Sequence, residues 1–285
     1  MKIDKINKKN KSGKIKMMII FILLACILPG FDQRLKIQYY TIESEQITEP
    51  VRIVLVTDLH ACQYGENQQE LIQAVQEQNP DLIALSGDIF DENMPDANTE
   101  YFLQDIAQDY PCYYVTGNHE YYVSSELQAK RVQFLESLGI KILSGTEEAC
   151  KVHGQNLTIY GIEDPSGGLV SEKQLQNVKE LSKNNPDNPD FKILLSHRPE
   201  LFETYCTGDF NLVLCGHAHG GQWRIPFLVN GLYAPHQGFF PEHAGGLYQD
   251  SFTATTMIVS RGLARESTRI PRFYNRPELV VIDLN

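Results

Sequence analysis

The sequence predicts an α/β fold in which two mixed β-sheets pack face to face and are flanked by helices. Three observations carry this expectation. Five aliphatic or β-branched runs occur along the chain, and the first three alternate with stretches of helical pattern, as in a buried sheet with parallel pairings. The 285 residues are 42% hydrophobic, enough to bury a substantial core. Finally, each of the five runs is followed at once by Asp, Asn or His, and ligands of such sheets bind at the carboxyl ends of the strands.

In chain order, residues 1–16 form a basic tail with seven lysines against one acid, Asp4. Its charge of +6, within a chain of net charge -11, leaves -17 on the rest. An acidic body lacks the basic footprint of a nucleic-acid binder, so no nucleic-acid partner is expected. Residues 17–31 read as a signal-anchor or signal-peptide segment, with an unbroken apolar run from Met17 to Leu28 ended by Pro29-Gly30. At about 1.5 Å per residue this run reaches only about 18 Å, short of a roughly 30 Å hydrocarbon core. The lysines favour a cytoplasmic tail, which puts the body on the outer face of a bacterial cell membrane.

Residues 35–285 form the expected catalytic domain. Leu35 to Glu43 alternates as a first strand. The runs 53–57, 82–86, 113–115, 193–196 and 212–215 follow, with helical stretches over 67–78, 99–108 and 125–138. Segments 141–143, 157–161, 256–260 and 278–284 are further strands, and 184–189 is a loop by its Asn and Pro content. Six cysteines without a Cys-x-x-Cys pair favour buried thiols over a disulfide framework or a zinc knuckle.

The strand ends supply Asp58, His60, Asp88, Asn118, His197, His217 and His219. Taken singly these are weak: Asp-x-His is often a capped turn and Gly-Asp is an ordinary turn dipeptide. Seven oxygen and imidazole donors exceed what one ion can use, whereas two ions sharing a carboxylate could use them all. Donors of this kind, without thiolate, suit manganese, iron or zinc, and the mixed set leaves the identity open. Two such ions can clamp a phosphoryl oxygen and supply a nucleophile for in-line displacement.

Asp58-x-His60, Gly87-Asp88, Gly117-Asn118-His119-Glu120, His197 and Gly216-His217-x-His219 resemble, in order, the five motifs of the calcineurin-like metallophosphoesterases. The stretches Gly216 to Pro226, Ser260-Arg261-Gly262-Leu263, Pro271-Arg272-Phe273 and Arg276-Pro277-Glu278 resemble a membrane-associated bacterial branch that includes phosphodiesterases of UDP-diacylglucosamine. The resemblance implies a four-layer αββα fold and two divalent metal ions. Asp58, His60 and His219 would hold one ion, and Asn118, His197 and His217 the other, with Asp88 bridging. His119 would be catalytic and not a ligand, and a metal-bound hydroxide would be the nucleophile. The implied reaction is hydrolysis of a phosphodiester or pyrophosphate bond, with a lipid-linked or cell-envelope substrate. Alternatives on the same fold are a phosphomonoesterase for protein or nucleotide substrates and a non-catalytic binding module.

Other residues have two readings. Trp223, Phe227, Tyr233, Phe239, Phe240 and Tyr248 lie in a Gly-rich excursion after the last ligand pair, as a substrate rim or as packing. Arg261 and Arg272 are candidates for substrate binding, or partners in salt bridges. Arg198 reads as solvated beside a helix start at Pro199, and Glu120 acquires no role.

Overall fold

The computed structural model describes residues 16–21, 24–184, 189–266 and 270–285. The strands are β1 (Lys36–Ile42), β2 (Val51–Val56), β3 (Leu82–Ser86), β4 (Cys112–Val115), β5 (Lys141–Ile142), β6 (Thr146–Val152) and β7 (Gln155–Gly161). They continue with β8 (Phe191–Leu195), β9 (Leu212–Cys215), β10 (Tyr233–Ala234), β11 (Gly238–Phe239), β12 (Gly246–Gln249), β13 (Thr256–Val259) and β14 (Glu278–Leu284). One six-stranded sheet has the order β1-β14-β2-β3-β4-β5 and the other β12-β13-β9-β8-β7-β6. Both are mixed. The ligand-bearing strands β2, β3 and β4 pair in parallel, as do β8 and β9, so their carboxyl ends share one edge of each sheet.

The period-two alternation of strands explains how short apolar runs build four layers. Ile53, Leu55, Leu82, Ala84 and Tyr113 point inward and meet Leu157, Ile159, Ile193, Leu195 and Leu214 of the second sheet. Their neighbours Val54, Val56, Ile83, Leu85 and Tyr114 point outward, beneath α1 (Gln69–Gln76), α2 (Ala97–Asp109) and α3 (Ser125–Ser137). On the far side, Leu194, Val213 and Val259 are covered by Val178, Phe202 and Tyr205. Val178 belongs to α4 (Leu169–Asn184). The strands that carry ligands are thus apolar on both faces, and truncating a side chain such as Leu55 to Ala should destabilise by about 2–5 kcal/mol.

The sequence reading found these strands and missed the polar edges β6 and β12, where exposed residues alternate with partly buried ones. It also missed α4, whose buried positions include Ser171, Gln174 and Ser182, leaving a thin apolar stripe. No disulfide forms among the described cysteines, and Cys62, Cys112 and Cys215 are buried.

The basic tail lies outside the described residues except for Lys16. In the apolar segment, residues 16–21 and 24–27 are helical, and Leu28–Phe31 form a 3-10 turn. Among the described residues, no helix is long and apolar enough to cross a membrane.

Candidate metal centre and active site

The loops after β2 and β3 continue the parallel pairing beyond the strands. Asp58 donates its N–H to the Gly87 carbonyl at 3.0 Å, and His60 donates to that of Asp88 at 3.0 Å. The carboxylates then lock neighbouring loops. Asp58 accepts the His217 N–H at 2.9 Å, and Asp88 accepts the His119 N–H at 2.8 Å. These loops approach so closely that a Cβ on Gly117 would stand 2.2 Å from Asp88 Oδ1, and one on Gly216 would stand 2.5 Å from Asp58 Oδ2. The small residue before Asn118 and before His217 is therefore required by contact. Asp58, His60, Asp88, His217 and His219 all hold positive φ, between 47° and 67°. A left-handed backbone costs a non-glycine residue about 1–2 kcal/mol. It persists here because several loops fix the same few residues.

This packing brings the expected residues together. Donor atoms of Asp58, His60, Asp88 and His219 all lie within 4.8 Å of one another, and so do those of Asp88, His197 and His217. Asp88 belongs to both groups. His60 Nε2 is 3.6 Å and His197 Nε2 3.0 Å from Asp88 Oδ2, while His219 Nε2 is 3.4 Å from Asp58 Oδ1. Ligands about 2.1 Å from a common ion stand about 3.0–3.4 Å apart at tetrahedral or octahedral angles, so these spacings suit metal binding.

Two orphaned atoms make the same point. Asn118 Oδ1 and His197 Nε2 are buried without hydrogen-bond partners, His197 Nε2 being near Asp88 but out of line for a bond. His197 Nδ1 donates to the Ser86 carbonyl at 2.8 Å, which turns the Nε2 lone pair toward Asp88. His60 is set in the same way by Asp91, at 3.0 Å from its Nδ1. The residues present fit a pair of divalent cations.

The electrostatics point the same way. Burial alone would lower the His197 pKa, but Asp88 beside it and Asp58 drive it up to about 10. Burial works against the Asp88 carboxylate, yet His197, in contact with it, holds its pKa well below the usual range. Burial pushes the His217 and His219 pKa values well down, helped by the neighbouring charge of His197 and His60 respectively. Four crowded imidazoles cannot all be charged, and cations between them and the carboxylates supply what the missing protons do not.

His119 stands apart from both donor groups of the metal pair. Its Nδ1 is 2.5 Å from Glu92 Oε2 and 3.6 Å from Asp91 Oδ2, and its Nε2 is 4.0 Å from Asp88 Oδ2. The ring is partly exposed at the floor of a cavity of about 740 Å³. His60, Asp91 and His219 share that floor, and Trp223, Leu232, Tyr233, Pro235 and Phe239 form apolar walls.

Several residues differ from their sequence reading. Glu120, without a role there, is buried, and its carboxylate accepts the N–H groups of Asp88, Ile89, Phe90 and Gly117 at 2.7–3.1 Å. It holds the Asp88 loop against the Asn118 loop. Arg198 is buried and not solvated: Asp164 pairs with its guanidinium, and its Nη1 reaches His217 Nε2 at 3.0 Å and His236 Nδ1 at 2.5 Å. Burial would raise the Asp164 pKa, and the Arg198 contact brings it below its ordinary value.

Arg272 is fully buried, with its guanidinium on the carbonyls of Ala264, Gly262 and His219. Arg261 lies 3.5 Å from Glu278. Neither is among the residues that line the cavity, and of the two readings the contacts described are those of loop bracing and an ion pair. Within the aromatic excursion both readings hold in part. Trp223, Tyr233 and Phe239 line the cavity, Tyr248 packs against the core, and Phe227 and Phe240 face solvent. Only Asp91 and Glu92 carried a sequence signal, lying three and four residues after Asp88 on the same loop.

Comparison with known proteins agrees with this site. The family model for calcineurin-like phosphoesterases matches residues 51–221, a stretch containing every candidate ligand. An uncharacterized metallophosphoesterase of Campylobacter jejuni is 30% identical, covering 97% of this chain and 73% of that protein. Phosphodiesterase YaeI of Escherichia coli is 28% identical over 82% of each chain. Among solved structures, the NAD nucleotidase of Haemophilus influenzae aligns with a TM-score of 0.51 at 14% identity. That alignment covers 76% of this chain and 46% of the other, and it concerns the fold alone. From the family match and the near full-length relative, this chain belongs to the calcineurin-like phosphoesterase family and is a phosphoester hydrolase.

Proposed function

We propose that the chain is a two-metal phosphodiesterase or pyrophosphatase whose substrate carries an apolar or ring-bearing group, such as a lipid-linked cell-envelope intermediate. Asp58, His60, His219 and the shared Asp88 hold one divalent cation. Asn118, His197, His217 and Asp88 hold the second, with manganese the first choice. When bound, the metal pair neutralises phosphoryl charge and activates water.

The protein's own groups do the rest. Glu92 accepts from His119 Nδ1 and fixes the ring, which leaves Nε2 to hydrogen-bond the phosphate or hand a proton to the leaving oxygen. Glu120 keeps the Asp88 and Asn118 loops in register while charge moves. The apolar walls exclude water from the bond being cut and orient the leaving group.

The observation that carries this reading is the cavity itself. Among the described residues, its lining has candidate ligand histidines on the floor and mainly apolar side chains on the walls. Such walls suit a phosphodiester or pyrophosphate linkage that carries an apolar or ring-bearing substituent. The phosphomonoesterase reading remains the competitor, because the shared metal site serves both reactions. The apolar segment 17–31 supports attachment to the outer face of a membrane.

A manganese-supplemented screen across monoesters, simple diesters and lipid-linked pyrophosphates tests the proposal, with chelator and His119→Ala controls. Preference for diesters or lipid-linked pyrophosphates, lost in both controls, is the expected result. Faster turnover of small monoesters would overturn it.

A further inference from the structure

The turn from Trp223 to Val229 projects beyond the catalytic cavity. Ile225 and Val229 pair backbone to backbone at 2.9 and 3.1 Å, leaving Pro226, Phe227 and Leu228 as a three-residue tip. Phe227 is 108% exposed and Leu228 82%. Phe227 also holds a φ of 67°, a conformation unfavourable for an aromatic residue. Two large apolar side chains at a strained, convex tip gain nothing from water. An apolar phase rewards them.

The base of the turn meets the N-terminal segment. Arg224 donates its N–H to the Phe273 carbonyl at 2.9 Å, and Trp223 Nε1 donates to Pro271 at 2.9 Å. The Phe273 ring packs at 5.1 Å from Phe31, where the apolar segment ends, and Tyr274 bonds to Gly30 and Cys26. In the helical stretch before this junction, Met17, Met18, Ile19, Ile20 and Phe21 are all exposed. Beside the base, Arg224, Arg261 and Arg276 lie within electrostatic reach of Lys36, with Arg261 3.5 Å from Glu278 and Arg276 3.5 Å from Asp32. That is a local cationic excess on a chain of net charge -11.

We propose that the Pro226–Phe227–Leu228 tip inserts into the headgroup region of an anionic lipid surface, with the cationic cluster at its base against the phosphates. Apolar anchors flanked by basic residues are what interfacial binding to anionic lipid requires. A convex tip of three residues does not supply the roughly 1,000 Å² that a specific protein partner needs. Because Trp223 belongs both to the turn and to the cavity wall, the cavity mouth opens at that surface. The inference does not depend on which phosphoester is cleaved.

The chain contains one tryptophan, Trp223, which makes the test direct. Full-length protein is mixed with phosphatidylcholine vesicles, with and without phosphatidylglycerol, carrying brominated acyl chains as quenchers. Trp223 emission should shift to the blue and fall by about twofold with the anionic vesicles, as for an interfacial aromatic residue. In Phe227→Asp/Leu228→Asp that quenching should disappear, even though the N-terminal segment keeps the protein on the vesicle. Turnover of a soluble diester should stay within about twofold in the same variant, which also shows that it folds. Equal quenching in variant and parent, or none in the parent, would overturn the proposal. So would an emission shift that follows protein concentration instead of lipid, which would make the tip an interface between copies. Failure of the parent to turn over any diester or lipid-linked pyrophosphate, with quenching intact, would instead sink the proposed substrate class and leave this inference standing.

Discussion

The loops at the strand ends and the excursion over residues 220–250 face the same cavity but are built on opposite principles. Asp58, His60, Asp88, His197 and His217 are almost completely buried, and neighbouring backbone fixes the loops that carry them. The excursion has strands of two to four residues, and Phe227, Phe239 and Phe240 stand in solvent. On the function proposed above, reaction chemistry sits where the backbone leaves no freedom, and substrate choice sits where it leaves some. Mutations should therefore divide by region: strand-end changes abolish turnover of every substrate, and excursion changes select among substrates.

The largest expected effect comes from Asp88→Asn, which removes the carboxylate common to both donor groups. Turnover should fall by about 10³-fold or more, with less than two metals retained per chain by elemental analysis. Full activity with two metals bound would break the contrast at its strongest point. His119→Ala should lower kcat by about 10²–10⁴-fold with metal content unchanged, since His119 lies outside the two donor groups that share Asp88. Metal loss in this variant would move His119 from proton donor to ligand.

Glu120→Ala tests whether strand-end rigidity is built from buried polar bonds. It strips an acceptor from four backbone N–H groups and should destabilise the protein by about 3 kcal/mol. Calorimetry reads this as a drop of about 6–12 °C in Tm. A Tm within a degree of the parent would show that the loops hold without it.

Acidification should weaken metal binding, because each imidazole ligand must shed its proton before coordinating. Two of the ligands, His60 and His197, have pKa values raised in the metal-free site, so affinity is complete only at alkaline pH and falls continuously as pH drops. A manganese titration monitored at several pH values would show this, and pH-independent affinity would refute it. The smallest expected effect is that of Trp223→Ala. It should cut kcat/KM by about 10–200-fold for substrates with a bulky apolar group and leave a small diester nearly untouched. Equal losses on both would mean that the excursion is structural packing.

Legibility along the sequence follows the range of the interactions. Asp58, Asp88, Asn118, His197 and His217 announce themselves because each directly follows a run of β-prone residues. Glu120 could not be read in that way. Three of its four partners lie 30 to 32 residues earlier, and nothing local marks a carboxylate that accepts from backbone. Arg198 looked solvated beside a turn-forming proline, until Asp164, 34 residues away, turned out to pair with it in the interior. Arg272 had the type of a phosphate binder. Its burial and its three carbonyl partners, 8 to 53 residues distant, show that it braces the loops behind the metal centre.

By itself, the sequence determined the residue types, their places at strand ends and the two-sheet class, because hydrophobic periodicity and strand termination are local properties. The tertiary structure decided that Asp88 belongs to both donor groups, that five of the ligand candidates adopt left-handed backbone and that Glu120 ties two loops together. It also decided that the aromatic excursion divides into cavity wall, packing and exposed tip. Those features depend on how separate strands align and how closely their loops approach, and such distances are set only when both sheets pack against one another.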